Sequence, residues 1–195
     1  MKMRINIVTV CSRVQNLITI KNSIFNELSS VFDVYWYITL DKSKVNSVPI
    51  ELLGNDNILF STIDSIDILN DGAGQARNIL FNKIEEGYIH VIDDDNIVHP
   101  NFWNLIHLYG KGNNVIVGNQ ILNNGNIRLF GRRDNMFVSQ VDSASITWDR
   151  KIQGDIMWNE VYCCDGIFVE ELMASHEDKF VYTNETISYY NYLSI

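Results

Sequence analysis

The chain has 195 residues, enough for one domain with a real core. Lys and Arg number 15 against 24 Asp and Glu, a net charge of −9. That excludes an ordinary nucleic-acid binder, which needs a Lys/Arg surface against a phosphate backbone. A single nucleotide is not excluded, because a divalent cation can neutralise a diphosphate at an acidic site.

Arg4 to Val10 is a short apolar run that reads as a buried strand. It is too short for a signal-peptide core or a membrane span, so the chain is expected to be cytoplasmic, with no integral membrane segment. Leu17, Ile20, Ile24 and Leu28 recur at helical spacing within Val14 to Leu28. Val34 to Leu40 is rich in β-branched and aromatic residues, predicts a second strand and ends at Asp41. Asn57 to Ser61 predicts a third. Asp71-Gly72-Ala73-Gly74 is a turn and helix start, after which Ala76, Ile79, Leu80 and Ile84 line one helical face. Tyr88 to Ile92 is a strand that stops at Asp93-Asp94-Asp95.

Such a βαβ series implies a mostly parallel sheet, with ligands bound at the carboxyl ends of its strands. The residues to inspect are therefore Cys11-Ser12-Arg13, Asp41 and Asp93 to Asp95. Beyond a helix that starts at Pro100, short apolar runs (Val115–Val117, Ile127–Phe130, Ser145–Trp148) alternate with Asn/Gly turns and suggest a partly antiparallel second half. Cys164 to Ser175 predicts a helix with Ile167, Phe168, Leu172 and Met173 inward, and Lys179–Thr183 and Ile187–Tyr190 predict two late strands. Cys11, Cys163 and Cys164 show no metal-type spacing and read as free thiols in a reducing compartment.

Three consecutive Asp after an apolar strand repel one another, and a cation or protonation relieves the repulsion. Mg²⁺ and Mn²⁺ favour carboxylate oxygens and often keep substrate phosphates as further ligands. Side-chain alternation lets Asp93 and Asp95 face one way while Asp94 braces the loop. The bland alternative is a solvated acidic turn ahead of the Pro100 helix. Gly72 to Asn78 fails as a dinucleotide fingerprint, because Arg77 stands at the third glycine position and no apolar strand leads into it. Arg77 instead offers positive charge to a phosphate, or the segment is only a helix start. His90, inside the strand before the acidic run, is expected to be packed in the core. His176 reads as a helix-end residue or a further metal-shell ligand. Trp103, Trp148, Trp158, Tyr162, Tyr189, Tyr190 and Tyr192 are core aromatics or platforms for an acceptor sugar.

Asp93-Asp94-Asp95 resembles the DXD motif of GT-A glycosyltransferases. The nearer likeness is to the β-1,3-glucuronyltransferases, with bacterial family-2-type transferases similar through their Ala-Arg-Asn helix start. Thr9-Val10-Cys11-Ser12-Arg13 stands where those enzymes carry a Thr-Pro-Thr-Tyr-x-Arg-like loop, Gly72 to Asn78 where they carry a Gly-x-x-Gln-x-Arg-Asn-like helix start, and Asp93 to Asn96 where they carry Asp-Asp-Asp-Asn. Val141 to Ala144 and Cys164 to Phe168 look like their acceptor strand and base-bearing helix start. Val10 departs from the usual Pro, and Asp165 from the usual Glu base.

The resemblance implies a single α/β domain of GT-A type over residues 1–195, a Rossmann-like mixed sheet flanked by helices. Residues 1–103 would bind the nucleotide sugar and 104–195 the acceptor. It implies Asp95, with Asp93, as ligands of Mn²⁺ or Mg²⁺. Asp93 and Asp94 would hold the ribose or base, with Asp41 and the Thr9–Arg13 loop around the base and Arg77-Asn78 aiding the nucleotide. Asp165 would be the catalytic base, and Asp142 and Trp148 would meet a carbohydrate acceptor. Uridine diphosphate is the nucleotide the resemblance favours, and a single base opposite the leaving group gives inversion. A haloacid-type phosphatase is a poorer fit, since its nucleophilic Asp follows the N-terminal strand. A nucleotidyltransferase would want a Gly-rich Lys/Arg loop there. A non-catalytic nucleotide- or carbohydrate-binding module would tolerate loss of Asp165.

Overall fold

The computed structural model describes residues 2–64, 73–161 and 163–193. Asp71 and Gly72 of the expected helix start, and Tyr162, lie outside them. Strand β1 (Arg4–Cys11) is buried from Ile5 onward, on both faces, as a central parallel strand must be. It lies between β2 (Asp33–Asp41) and β4 (Tyr88–Val91), both parallel to it, and β3 (Ile58–Ile63) adds in parallel outside β2. Four strands therefore finish on one edge of the sheet, and the acidic run leaves from that edge.

Past β4 the sheet becomes mixed. β8 (Ile146–Asp149) pairs antiparallel to β4, and β6 (Val115–Ile121) antiparallel to β8. β9 (Phe180–Tyr189) runs parallel to β6, and the two-residue β5 (Ile97–Val98) closes the far edge against it. β7 (Ile127–Leu129) folds back on β6. Among the described residues these nine strands form one sheet spanning both halves of the chain.

Helices cover both faces. Ile5 and Ile7 point to the side where α1 (Leu17–Ile24) and α3 (Asn101–Tyr109) bury Leu17, Ile20, Ile24, Phe102 and Ile106. Val8, Ile89 and Val91 point to the other, against α2 (Gly74–Phe81) and α5 (Cys164–His176). A short helix, α4 (Arg150–Gln153), follows β8, its first turn capped by Asp149. The strand alternation of period 2 thus feeds two separate apolar layers.

Three local expectations need correcting. The first helix stops at Ile24 rather than continuing to Leu28, which is 44% exposed. Asn26 starts a new 3-10 turn there: its Oδ1 accepts from the Leu28 and Ser29 amides, while Ser29 Oγ accepts from the Asn26 amide. The two late strands are one, β9, whose register against β6 shifts between Val117 and Asn119. Gly118 lies in that shift, where an added Cβ would stand 2.5 Å from Ile187 Cγ2. In α5 the inward residues are Phe168, Val169 and Leu172, with Ile167 and Met173 only half-buried.

Candidate active site

The acidic run divides its labour. Asp94 turns inward, and its Oδ2 accepts from the Ser12 amide (2.6 Å), Ser12 Oγ (2.9 Å) and the Arg13 amide (2.7 Å). Arg13 Nη1 closes on Asp94 Oδ1 and on Asp95 Oδ2, both at 2.7 Å. Asn16 holds the Asp94 carbonyl from the same loop. The middle carboxylate is thus a brace between the ends of β1 and β4. Asp95 faces the half-exposed Arg13, and Asp93 faces a cleft of about 400 Å³.

Arg77, Asp93, Arg128, Asp142, Cys164 and Asp165 share that cleft. The fold brings together groups up to 88 residues apart: Arg77 Nη1 to Asp165 Oδ1 at 2.5 Å, and Arg77 Nη2 to Asp93 Oδ1 at 3.0 Å. Asp165 opens α5, and its Oδ2 accepts from the Ser143 amide at 3.0 Å. Asp142 caps a 3-10 turn through the Ala144 amide and pairs with Arg128 Nη1 at 2.9 Å. Arg128 stacks over Tyr190, 3.6 Å from ring centre to guanidinium carbon.

Three carboxylates here face two guanidiniums. Burial pushes the Asp93 carboxyl up to about 7, and Asp142, Asp165 and Asp95 push the same way against the pull of Arg77. The Asp93 side chain keeps 38% of its surface exposed, on the side it turns to the cleft. Asp142 is raised as well, by burial first and then by Asp165, against Arg128. Burial works against the charge on Arg77, but Asp165 and Asp93 outweigh it and its pKa rises. An excess of negative charge of this kind invites a cation.

Among the described residues no group of three or more His, Cys, Asp or Glu side chains is placed to hold a metal ion. Asp93 and Asp95 offer two carboxylates. Mg²⁺ and Mn²⁺ commonly take one or two carboxylates and complete their shell with substrate phosphates and water. Each carboxylate is already paired, Asp93 with Arg77 and Asp95 with Arg13, so a metal here would have to draw most of its ligands from a diphosphate and water.

Several expected site residues lie elsewhere. Trp148 is fully buried among Phe81, Trp158 and Phe168, with its indole N–H on Gln153, and can offer no ring face to an acceptor sugar. Trp103 and Trp158 are core residues too. Thr9 is buried with its hydroxyl accepting from Trp36, and Cys11 is a buried thiol pushed up to about 12, chiefly by burial. Neither side chain reaches a nucleotide. Both polar ends of the Asn78 amide are taken by the Trp158 backbone. Asp41 does end β2 on the expected edge, where its carboxylate caps a turn through the Ser43 amide and hydroxyl. Arg128, Ser143 and Asn16 were not anticipated; no spacing links them to their partners, which sit 14, 22 and 78 residues away.

No family model matches the chain, and no curated protein matches its sequence. Its fold is shared with crystal structures of S. aureus TarS. The TarS 1–349 structure superposes with a TM-score of 0.69 at 14% identity, over 96% of this chain and 60% of that one. A structure of TarS gives 0.70 at 14% identity over 96% of this chain and 36% of that one. TarS 1–349 in complex with UDP-GlcNAc gives 0.70 at 13% identity, over 96% of this chain and 58% of that one. The chain thus spans 60% or less of the length of these structures. The shared architecture is a GT-A-like mixed sheet flanked by helices, as the resemblance of the acidic run implies.

Proposed function

We propose that the chain is a glycosyltransferase that takes a nucleoside-diphosphate sugar, with UDP as the nucleotide, and passes the sugar to a carbohydrate hydroxyl with inversion. The observation that carries this is the joining of Asp93, at the carboxyl edge of the parallel strands, to Asp165, at the start of α5, within one cleft. A donor-side carboxylate and a second carboxylate held across the cleft to serve as base are what such a transfer needs. The likeness to a TarS structure that holds UDP-GlcNAc supports the choice of donor class.

In this reading Asp95, with Asp93, would hold Mn²⁺ or Mg²⁺, which would offset the charge that gathers on the leaving diphosphate. Asp165 takes the proton of the acceptor hydroxyl as its oxygen bonds the anomeric carbon and the bond to the diphosphate breaks. The Ser143 amide fixes Asp165 Oδ2, which leaves the carboxylate one orientation toward the cleft. Asp142 and Arg128 line the acceptor side. The Arg13 loop, braced by Asp94, borders the donor side.

A thermal-shift screen of nucleoside diphosphates with and without Mn²⁺ tests the proposal. UDP with Mn²⁺ should raise the melting temperature more than UDP alone, and Asp95→Ala should abolish the difference. Binding that ignores the metal, or no nucleotide binding at all, counts against it.

A further inference from the structure

Arg77, on α2, is a cation expected to aid the nucleotide, yet its side chain is 4% exposed. Nη1 points at Asp165, with Cys164 Sγ a further 3.5 Å contact, and Nη2 points at Asp93. The ring of Trp158 lies 5.0 Å from the guanidinium carbon. A cation this deeply desolvated persists because two carboxylates and an aromatic face compensate it.

Its backbone is held as firmly as its head. Asn78, the next residue, donates to the Trp158 carbonyl at 2.8 Å and accepts from the Trp158 amide at 2.9 Å. At the other end of the same turn Gly74 packs so closely that an added Cβ would stand 2.3 Å from the Asn159 carbonyl oxygen. The planar fork therefore spans a fixed gap between the acidic run and the first turn of α5. A single ammonium cannot bridge two carboxylates in that way.

We infer that Arg77 is a positioning residue, which holds Asp165 at a set place relative to Asp93 and does not itself ligate the donor phosphates. This rests on the reading of Asp165 as the base. Removal of Arg77 frees Asp93 of one partner but leaves Asp95 and the Arg13 loop of the donor side in place, while Asp165 loses its tie to the acidic run, so the loss falls on turnover rather than on nucleotide affinity.

The test uses the whole chain with Arg77→Gln and Arg77→Lys. UDP affinity is measured by calorimetry with Mn²⁺, and turnover as UDP release from UDP-sugars in the presence of carbohydrate acceptors. For Arg77→Gln the UDP Kd should stay within about threefold while kcat falls about 100-fold. Arg77→Lys should keep the same affinity and recover about tenfold of the lost kcat. If Arg77→Gln does not fold, Arg77→Lys decides alone, with UDP affinity kept and kcat down about tenfold. A loss of UDP affinity of about tenfold or more with kcat unchanged makes Arg77 a donor ligand and overturns the inference. Unchanged kcat and affinity in a folded variant overturn it too, and leave the glycosyltransferase reading standing. A wild-type chain that binds no UDP, or binds it and releases none from any UDP-sugar, sinks that reading and this inference with it.

Discussion

Arg13 meets Asp94 twice, once through its backbone amide on Oδ2 and once through Nη1 on Oδ1, each at 2.7 Å. With Ser12 adding its amide and hydroxyl, the buried Asp94 carboxylate ties the loop after β1 to the loop after β4. Of the three carboxylates only Asp93 turns to the cleft, while Asp95 joins Asp94 on Arg13 Nη1. Asp94→Ala should therefore act first on stability. It strands the Ser12 and Arg13 amides and leaves Arg13 Nη1 with Asp95 alone, a loss of about 2–3 kcal/mol in urea unfolding. A variant as stable as the wild type would mean that the two loops do not depend on this carboxylate.

Asp165→Asn separates binding from chemistry. The amide keeps the size of the carboxylate and one oxygen, which can accept from either the Ser143 amide or Arg77 but not both, and it cannot take a proton. UDP affinity should persist, while turnover should drop by about 10²–10⁴. Turnover at the wild-type rate would remove Asp165 as base. Unchanged binding in a chain that shows no transfer before mutation would point to a binding module instead.

The strand-edge logic of the donor half could be read from the residues, because it depends on local pattern. Apolar runs of strand length, each followed by a polar turn, place Cys11, Asp41 and Asp93 at one edge, and the sheet order puts them there. Strand alternation does not carry past Val91: Asp94 and Asp95 lie in a turn and share Arg13 Nη1, while Asp93 alone turns to Arg77. What the residues could not show was which partner each group had found. Trp148 has the chemistry of a sugar platform, and only the packing of α5 across β8 reveals that Phe168 covers it. Arg77 has the chemistry of a phosphate ligand, and only the approach of α5 turns it toward Asp165. Asn184-Glu185 looks like a turn between two strands, but the register shift opposite Gly118 lets β9 run through it.

Gly74→Ala tests whether α2 is pressed onto the segment after Trp158. The new methyl would meet backbone atoms, Asn159 O at 2.3 Å and Asn159 C at 3.0 Å, which cannot swing aside as a side chain can. Helix propensity alone would favour Ala. Overpacking should prevail, with a net loss of about 1–3 kcal/mol and a lower melting temperature. A more stable variant would show that the segment yields, and that Arg77 is anchored by Asn78 alone.

His90 should make stability fall in mild acid. It lies inside β4 with no exposed surface, its Nδ1 3.0 Å from the Ile146 carbonyl and 2.9 Å from Thr147 Oγ1, its ring against Phe102. Burial lowers its pKa to about 4, opposed by the Ile146 carbonyl. In the unfolded chain the ring titrates near its ordinary value of about 6.5. Between those values the unfolded state binds a proton that the native state refuses, so stability rises with pH across the window. The contribution is complete above about pH 6.5 and is lost as pH falls toward 4, a change of about 3 kcal/mol. His90→Gln keeps a polar side chain and does not titrate. Urea unfolding at pH 7 and pH 4.5 should show the wild type losing more stability than the variant, by about 2–3 kcal/mol. Equal losses in the two proteins would mean that His90 is protonated in the native core.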